Sequence, residues 1–192
     1  MEKDDIGRKY STVVIGGSAG SLEVIIRLLE ELTNDRLPII VIVHRKGTLH
    51  STLPELLNQR SAIKVKEAEE KEPVLPGHLY IAPADYHLLI ENDKTFSLDF
   101  SEKVNFSRPS IDVSFECASL VYGAQTIGIL LSGGNADGVQ GLKSIKKVGG
   151  ICIVQNPETA LVSFMPQHAL NEVDVDQVLD AEQLAAFLND IA

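Results

Sequence analysis

Apolar runs that are typical of buried strands alternate along the chain with segments of helical periodicity. The β-branched run from Ser11 to Gly16 predicts a strand, and Gly20 to Thr33 places its apolar residues at helical spacing. Further buried strands are predicted at Ile39 to Val43, Thr126 to Leu131 and Ile151 to Val154. This alternation favours an α/β fold with a doubly wound, mostly parallel sheet and helices on both faces.

The other predicted elements are helices and one inserted hairpin. The helices are expected at Thr52 to Gln59, Pro109 to Tyr122, after the glycine-rich loop 132–138 as far as Val148, at Met165 to Leu170 and at Asp180 to Ile191. Between Lys64 and Asp99 prolines separate short apolar runs. Leu88 to Ile90 and Phe96 to Leu98 flank a polar turn, which predicts an inserted antiparallel hairpin.

Length and charge limit the kind of protein. A chain of 192 residues, 44% of them hydrophobic, is expected to form a single domain over residues 1–192. With 27 acidic and 17 basic residues its formal net charge is -10, which disfavours nucleic acid as a partner. The charged segment Met1 to Tyr10 is unlike a signal peptide, and no apolar run reaches the roughly 18 residues of a membrane span. We therefore expect a cytoplasmic protein without membrane insertion.

Metal and cofactor chemistry receive no support from residue spacing. Cys117 and Cys152 are far apart, and no histidine pair falls at helical i, i+4 spacing. We expect neither a metal nor a cofactor.

Three polar loops each follow a predicted buried strand, and these loops carry the candidate chemistry. Ser18 stands in a Gly-x-Ser-x-Gly turn, His44 ends the second strand before a polar loop, and Asp137 lies in the glycine-rich loop. The carboxyl ends of parallel strands share one edge of a sheet, so the three side chains are expected to meet. A serine activated by histidine, with an acid behind the histidine, predicts acyl transfer through a catalytic triad.

Structural roles for the same residues remain open alternatives at this point. The turn around Ser18 is also typical of a tight turn or a phosphate cradle, although the dinucleotide pattern fails at two of its three glycines. His44 is equally placed for a loop or capping role, and Asp137 for a helix cap. Asp85 and Asp112 are rival acids.

Several motifs resemble one enzyme family in order and spacing. The segments Val14 to Ser21, Val43-His44 and Leu131 to Gly138 are similar to the nucleophile, histidine and aspartate loops of the bacterial chemotaxis protein-glutamate methylesterase catalytic domain. Weaker similarities occur at Lys66 to Glu70, Leu75 to Pro83, Arg108 to Asp112, Gln155-Asn156 and Met165-Pro166. The resemblance extends from Val13 to about Val178.

The resemblance implies hydrolysis of glutamate methyl esters, sometimes with glutamine deamidation, on a methyl-accepting chemoreceptor or another methylated protein. Ser18, His44 and Asp137 match the catalytic positions. Five further residues are candidates for oxyanion or substrate binding: Gly17, Ala19, Gly134, Arg45 and Arg108. The family's usual receiver domain is not expected in this chain, so a separate receiver protein is a candidate partner.

Three departures from the family pattern make altered activity an expectation. Ala19 follows the serine, Arg45 follows the histidine, and Gly134-Asn135 replaces Met-Gly in the aspartate loop. Glycine keeps the backbone donor but loosens the segment that positions it. A degenerate homologue that binds a receptor or partner without turnover is the main alternative hypothesis, and phosphate or nucleotide binding at the first glycine turn is another.

Overall fold

A seven-stranded sheet lies at the centre of the protein. The computed structural model describes residues 10–33, 37–45 and 52–191, so nearly all of the N-terminal segment and most of the polar loop after His44 lie outside the described residues. The strands are β1 (Thr12–Gly17), β2 (Ile39–Val43), β3 (Lys64–Glu67), β4 (His78–Ile81), β5 (His87–Ile90), β6 (Phe96–Asp99), β7 (Thr126–Leu130), β8 (Ile151–Gln155) and β9 (Gln177–Leu179). The helices are α1 (Ser21–Glu31), α2 (Leu53–Asn58), α3 (Ile111–Tyr122), α4 (Val139–Lys147), α5 (Phe164–Glu172) and α6 (Ala181–Asp190).

The main sheet has the order β3-β4-β2-β1-β7-β8-β9, and all of its neighbouring strands are parallel. β1 lies between β2 and β7, with Gly17 opposite Val43 and Gly16 opposite Leu130. This arrangement confirms the predicted doubly wound sheet, and it makes the strands before Ser18, His44 and the glycine-rich loop immediate neighbours.

Helices cover both faces of the sheet because its central strands are apolar on both sides. Val13 and Ile15 belong to the hydrophobic cluster under α1 and α6, whereas Val14 belongs to the cluster under α3, α4 and α5. Successive side chains of a strand point to opposite faces, so one continuous apolar run supplies both clusters.

The region from Lys64 to Asp99 contains more than the predicted hairpin. The antiparallel pair β5–β6 is present, with Leu88 opposite Leu98, as expected. β3 and β4, however, are parallel strands of the main sheet, and β9 forms the opposite edge. None of the three was predicted, because each is only three or four residues long and edge strands such as β3 expose alternate polar side chains.

Candidate active site

The three predicted loops meet at the carboxyl edge of the sheet. The amide of His44 donates to the Gly17 carbonyl over 3.1 Å, and the amide of Ser18 donates to the Ser132 carbonyl over 2.9 Å. These two hydrogen bonds connect the loops immediately after β2, β1 and β7. The predicted convergence of the three loops is therefore present in the structure.

Ser18 occupies a sharp turn between β1 and α1. A side chain at Gly17 would place its Cβ 2.4 Å from the Ser21 Cβ, and Gly20 has a left-handed φ of 84°. Both positions therefore require glycine, as a strand-to-helix elbow does. The Ser21 hydroxyl donates to the Ser18 carbonyl over 2.7 Å and fixes the turn.

His44 and Asp137 form a close hydrogen-bonded pair. The distance between His44 Nε2 and Asp137 Oδ2 is 2.7 Å, and the Asp137 side chain is fully buried. In the usual serine-hydrolase triad the acid contacts Nδ1 of the histidine and the serine contacts Nε2. The structure reverses the two nitrogens: with Nε2 bound to the acid, Nδ1 is left to face a nucleophile.

Asp137 is also the acceptor for the beginning of α3. Besides His44, four donors contact its carboxylate: Ile111 N at 2.7 Å, Ser110 Oγ at 2.9 Å, Asp112 N at 3.1 Å and Asn105 Nδ2 at 3.2 Å. Asp137 therefore caps α3 from a distant loop, whereas α4, which follows it in sequence, begins at the left-handed Gly138 without a side-chain cap.

These donors decide the charge of Asp137. Burial alone would raise its pKa, but hydrogen bonds from His44 and from the Ile111 and Asp112 amides outweigh that effect, and the pKa is lowered. A carboxylate with a lowered folded-state pKa stabilises the fold above its unfolded pKa, and this contribution is lost as the pH falls through the folded-state value. Asp137 is thus an anion at neutral pH, as a partner of an imidazolium must be.

Asp112, one of the rival acids, lies beside Asp137 and shares a donor with it. The Asn105 amide contacts Asp112 Oδ2 at 2.7 Å, and the Gly141 amide donates to Asp112 Oδ1 over 2.8 Å. Burial and the negative charge of Asp137 raise the pKa of Asp112 to about 6. Asp112 makes no hydrogen bond to His44 and is connected to the His44–Asp137 pair through Asn105. Asp85, the other rival, is exposed.

The raised pKa of Asp112 predicts a pH-dependent stability. Between about pH 4 and pH 6 the folded protein holds a proton that the unfolded chain releases, so this group lowers the free energy of unfolding as the pH rises through that window. This fall in the free energy of unfolding should amount to roughly 1 to 3 kcal/mol, and it should be absent from Asp112→Asn. Urea unfolding of both proteins at pH 4.5 and pH 7 measures this difference. An equal change in the two proteins would contradict the assignment.

Ser18 and His44 are adjacent through the backbone, but their side chains are not hydrogen-bonded. Among the described residues the Ser18 hydroxyl has no hydrogen-bond partner. The group closest to His44 Nδ1 is the Ser107 hydroxyl, at a long 3.4 Å. The direct serine–histidine contact that we expected is therefore missing from this structure. Contacts of this kind are often loose before substrate binds.

The candidate oxyanion donors have different surroundings. The backbone amides of Ala19 and Gly134 make no hydrogen bond to any other described residue. One available donor therefore lies next to Ser18, and the other lies in the loop after β7. A Cβ at Gly134 would have its nearest neighbour at 3.8 Å, so packing does not require glycine there. Gly17, by contrast, offers its carbonyl to His44 and acts in positioning the histidine.

Arg45 and Arg108 lie beside His44 but are already engaged within the protein. Arg45 forms an ion pair with Glu67, and Arg108 donates to the Phe100 carbonyl over 3.1 Å while stacking on the Phe100 ring. Both arginines line a cavity of about 270 Å³ that His44 also lines. They give this cavity a positive wall and are not free to move into it without losing those contacts.

Sequence reasoning missed three residues of the site: Asn105, Ser107 and Ser110. All three precede α3 in a loop without periodic pattern. Their only sequence signal is position, since Asn105 and Ser107 precede the Arg108–Asp112 motif and Ser110 lies within it. Within residues 10–33, 37–45 and 52–191, no three His, Cys, Asp or Glu residues are grouped as a metal site, and no helix is long and apolar enough to cross a membrane.

Comparison with known proteins agrees with this geometry. A sequence model of the CheB methylesterase family matches residues 13–188. The chain belongs to this family. A solved structure, the Thermotoga maritima CheB methylesterase catalytic domain, superposes with a TM-score of 0.91 at 35% identity and covers 96% of this chain and 100% of that one.

Two relatives differ in how much of their own length this chain matches. A Leptospira interrogans protein is 48% identical over 177 residues, which are 92% of each chain. A Thermotoga maritima protein named protein-glutamate methylesterase/protein-glutamine glutaminase is 39% identical over 178 residues, which are 90% of this chain but 51% of the relative. The chain thus spans about half the length of that CheB-family relative.

Proposed function

We propose that this chain, acting in the cytoplasm, hydrolyses methyl esters of glutamate side chains, with Ser18 as nucleophile, His44 as general base and Asp137 as the acid that supports it. The observation that carries the proposal is the 2.7 Å hydrogen bond between His44 and a fully buried carboxylate, beside the turn that bears Ser18. Family membership supports the class of reaction, and the hydrogen-bonded pair of His44 and Asp137 supports His44 as the proton acceptor.

The chemistry uses Nδ1 of His44 as the base. Because Asp137 accepts a hydrogen bond from Nε2–H, Nδ1 carries the lone pair and takes the proton of the Ser18 hydroxyl as Ser18 Oγ bonds to the ester carbon. The protonated imidazole then donates that proton to the leaving methoxide, which departs as methanol. Water, deprotonated by the same nitrogen, then attacks the acyl-enzyme carbonyl. The imidazole returns that proton to Ser18 Oγ as the bond from Oγ to the acyl carbon breaks, and the released acid ionises to a glutamate carboxylate.

The proposal requires the Ser18 hydroxyl to approach His44 Nδ1 when substrate binds. Among the described residues, the hydroxyl within hydrogen-bond distance of that nitrogen belongs to Ser107, and a 3.4 Å contact is easily exchanged. We assign the Ala19 and Gly134 amides to the oxyanion, since neither has a partner among the described residues. Two backbone donors at the developing charge are the usual requirement for acyl transfer.

A methyl-accepting chemoreceptor or another methylated protein is the proposed substrate. Glutamine deamidation uses the same steps with ammonia as the leaving group, and the Thermotoga maritima relative bears both activities in its name. A separate receiver protein is the proposed regulator. A non-catalytic binding role is the second candidate, favoured by the missing hydrogen bond between Ser18 and His44.

Labelling with a fluorophosphonate probe tests the proposal and separates the two candidates. A serine without a working base stays inert, so we expect a single adduct on Ser18, mapped by mass spectrometry, together with methanol release from a methylated chemoreceptor fragment. An adduct on Ser107 would reassign the nucleophile. An unlabelled protein that still binds the fragment would establish the binding role instead.

A further inference from the structure

The turn from Val104 to Ser107 adopts a backbone that its sequence does not favour. Val104 and Ser107 exchange two backbone hydrogen bonds, of 3.2 and 2.9 Å, around two central residues with left-handed φ. These are Asn105, at 50°, and Phe106, at 62°. Turns with two such residues prefer Asn followed by Gly. Asn105 fits this preference, whereas Phe106 places a bulky side chain where the backbone is strained.

The Phe106 side chain does not offset this strain by packing in the core. The residue is 98% exposed, so its ring is not part of the core. It nevertheless lines the 270 Å³ cavity together with His44 and Ser107. A strained, solvent-facing aromatic residue beside a catalytic base is explained better by a binding role than by stability.

The turn is also anchored to the catalytic pair. The Asn105 side chain donates to Asp112 and Asp137, and the Ser107 hydroxyl lies 3.4 Å from His44 Nδ1. The Asn105 hydrogen bonds and the backbone pair between Val104 and Ser107 fix the position of Phe106 relative to the base, and they remain in place when the Ser107 hydroxyl leaves Nδ1. An anchor that is already in place binds a ligand with little loss of conformational entropy.

The charge around Phe106 indicates which ligand fits. The cavity wall carries Arg45, Lys103 and Arg108 but only one acid, Asp85, in a chain whose net charge is -10. The two arginines already contact other residues of the protein, Arg45 through Glu67 and Arg108 through the Phe100 carbonyl. The Lys103 ammonium, by contrast, has no hydrogen bond or ion pair with any other described residue. A negatively charged segment with an apolar side chain matches this combination of groups.

We propose that Phe106 and Lys103 are the specificity-determining contacts for an acidic segment of the protein substrate. Phe106 packs against an apolar side chain of that segment, and Lys103 pairs with a carboxylate next to the ester. This inference rests on the proposed function. It follows chemically that a segment bearing several glutamyl esters becomes more acidic with each hydrolysis, so Lys103 finds a carboxylate beside the remaining esters.

Phe106→Gly separates binding from folding. Glycine accepts the left-handed backbone, so we expect a melting temperature that is unchanged or about 2 to 4 °C higher. The ratio of kcat/KM for a radiolabelled methylated chemoreceptor fragment to kcat/KM for p-nitrophenyl acetate should fall about tenfold, through KM. A lower melting temperature, or an unchanged ratio, would overturn the proposal. Failure of the unmodified protein to release methanol would instead defeat the proposed function itself.

Lys103→Gln and a control variant complete the experiment. Loss of the ammonium should raise KM for the fragment about three- to tenfold at low salt and flatten its salt dependence. Leu120→Ala is the matched control, because Leu120 is 75% exposed but lies about 13 Å along α3 from Ile111. Leu120→Ala should change neither the ratio of the two kcat/KM values nor the KM for the fragment. If Phe106→Gly weakens binding only of a receiver protein, the occupant of this surface is the regulator and the inference is wrong.

Discussion

Ser18→Ala is expected to lower the rate of methyl-ester hydrolysis by on the order of 10⁴ to 10⁶, because the members of a triad act as a unit. The Ser18 side chain contacts no described residue through a hydrogen bond, so the fold should not suffer. The measurement is single-turnover methanol release from a methylated chemoreceptor fragment, with the melting temperature recorded for both proteins. Retention of most of the activity would remove Ser18 from the mechanism.

Ser107→Ala is the comparison that gives this result its meaning. The Ser107 hydroxyl is within hydrogen-bond distance of His44 Nδ1, so among the described residues it is the competing candidate nucleophile at that nitrogen. If Ser107 merely rests against the imidazole, its loss should change the rate by less than about tenfold. A collapse of activity in Ser107→Ala together with an active Ser18→Ala would exchange their roles.

Asp137→Asn is expected to reduce kcat by on the order of 10⁴, through the tautomer of His44. Three donors face Asp137 Oδ1: Ser110 Oγ, Asp112 N and Asn105 Nδ2. An asparagine should place its carbonyl there and turn its NH₂ toward His44 Nε2. The imidazole would then carry its proton on Nδ1 and could not accept one from Ser18.

The same substitution also weakens the beginning of α3, because the Ile111 amide would face an NH₂ group instead of an acceptor. We expect the free energy of unfolding to fall by about 1 to 3 kcal/mol, measured by urea denaturation at pH 7. Asp180→Asn is the matched control: Asp180 caps α6 by accepting from the Gln183 amide over 2.9 Å and does not contact His44. Equal effects of the two variants on kcat would contradict the role of Asp137.

The convergence of the three candidate loops could be predicted from the sequence, whereas the detailed contacts of their side chains could not. Ser18, His44 and Asp137 each follow a long apolar strand, and the geometry of a parallel sheet brings strand ends together. The nitrogen that faces the acid depends on how the imidazole is rotated. The carboxylate that meets the imidazole is held in turn by the Ile111 and Asp112 amides of α3, which are more than 20 residues from Asp137 in sequence.

The residues that sequence reasoning missed share a physical cause. Asn105 and Ser107 lie in a turn stabilised by contacts to Asp137 and His44, so nothing local distinguishes them. The edge strands β3 and β9 were missed because an edge position needs few apolar residues. Long buried strands are specified by their own composition, but short edges and functional loops depend on what the rest of the chain supplies.

The two halves of the proposed machinery are held from opposite sides of the sheet. Ser18 precedes α1, which packs on one face, and Asp137 is held by α3, which packs on the other. Loosening of either helix layer should therefore separate the alcohol from its base before the sheet itself unravels. On heating, ester hydrolysis should therefore decline at a lower temperature than the one at which circular dichroism reports unfolding of the whole domain.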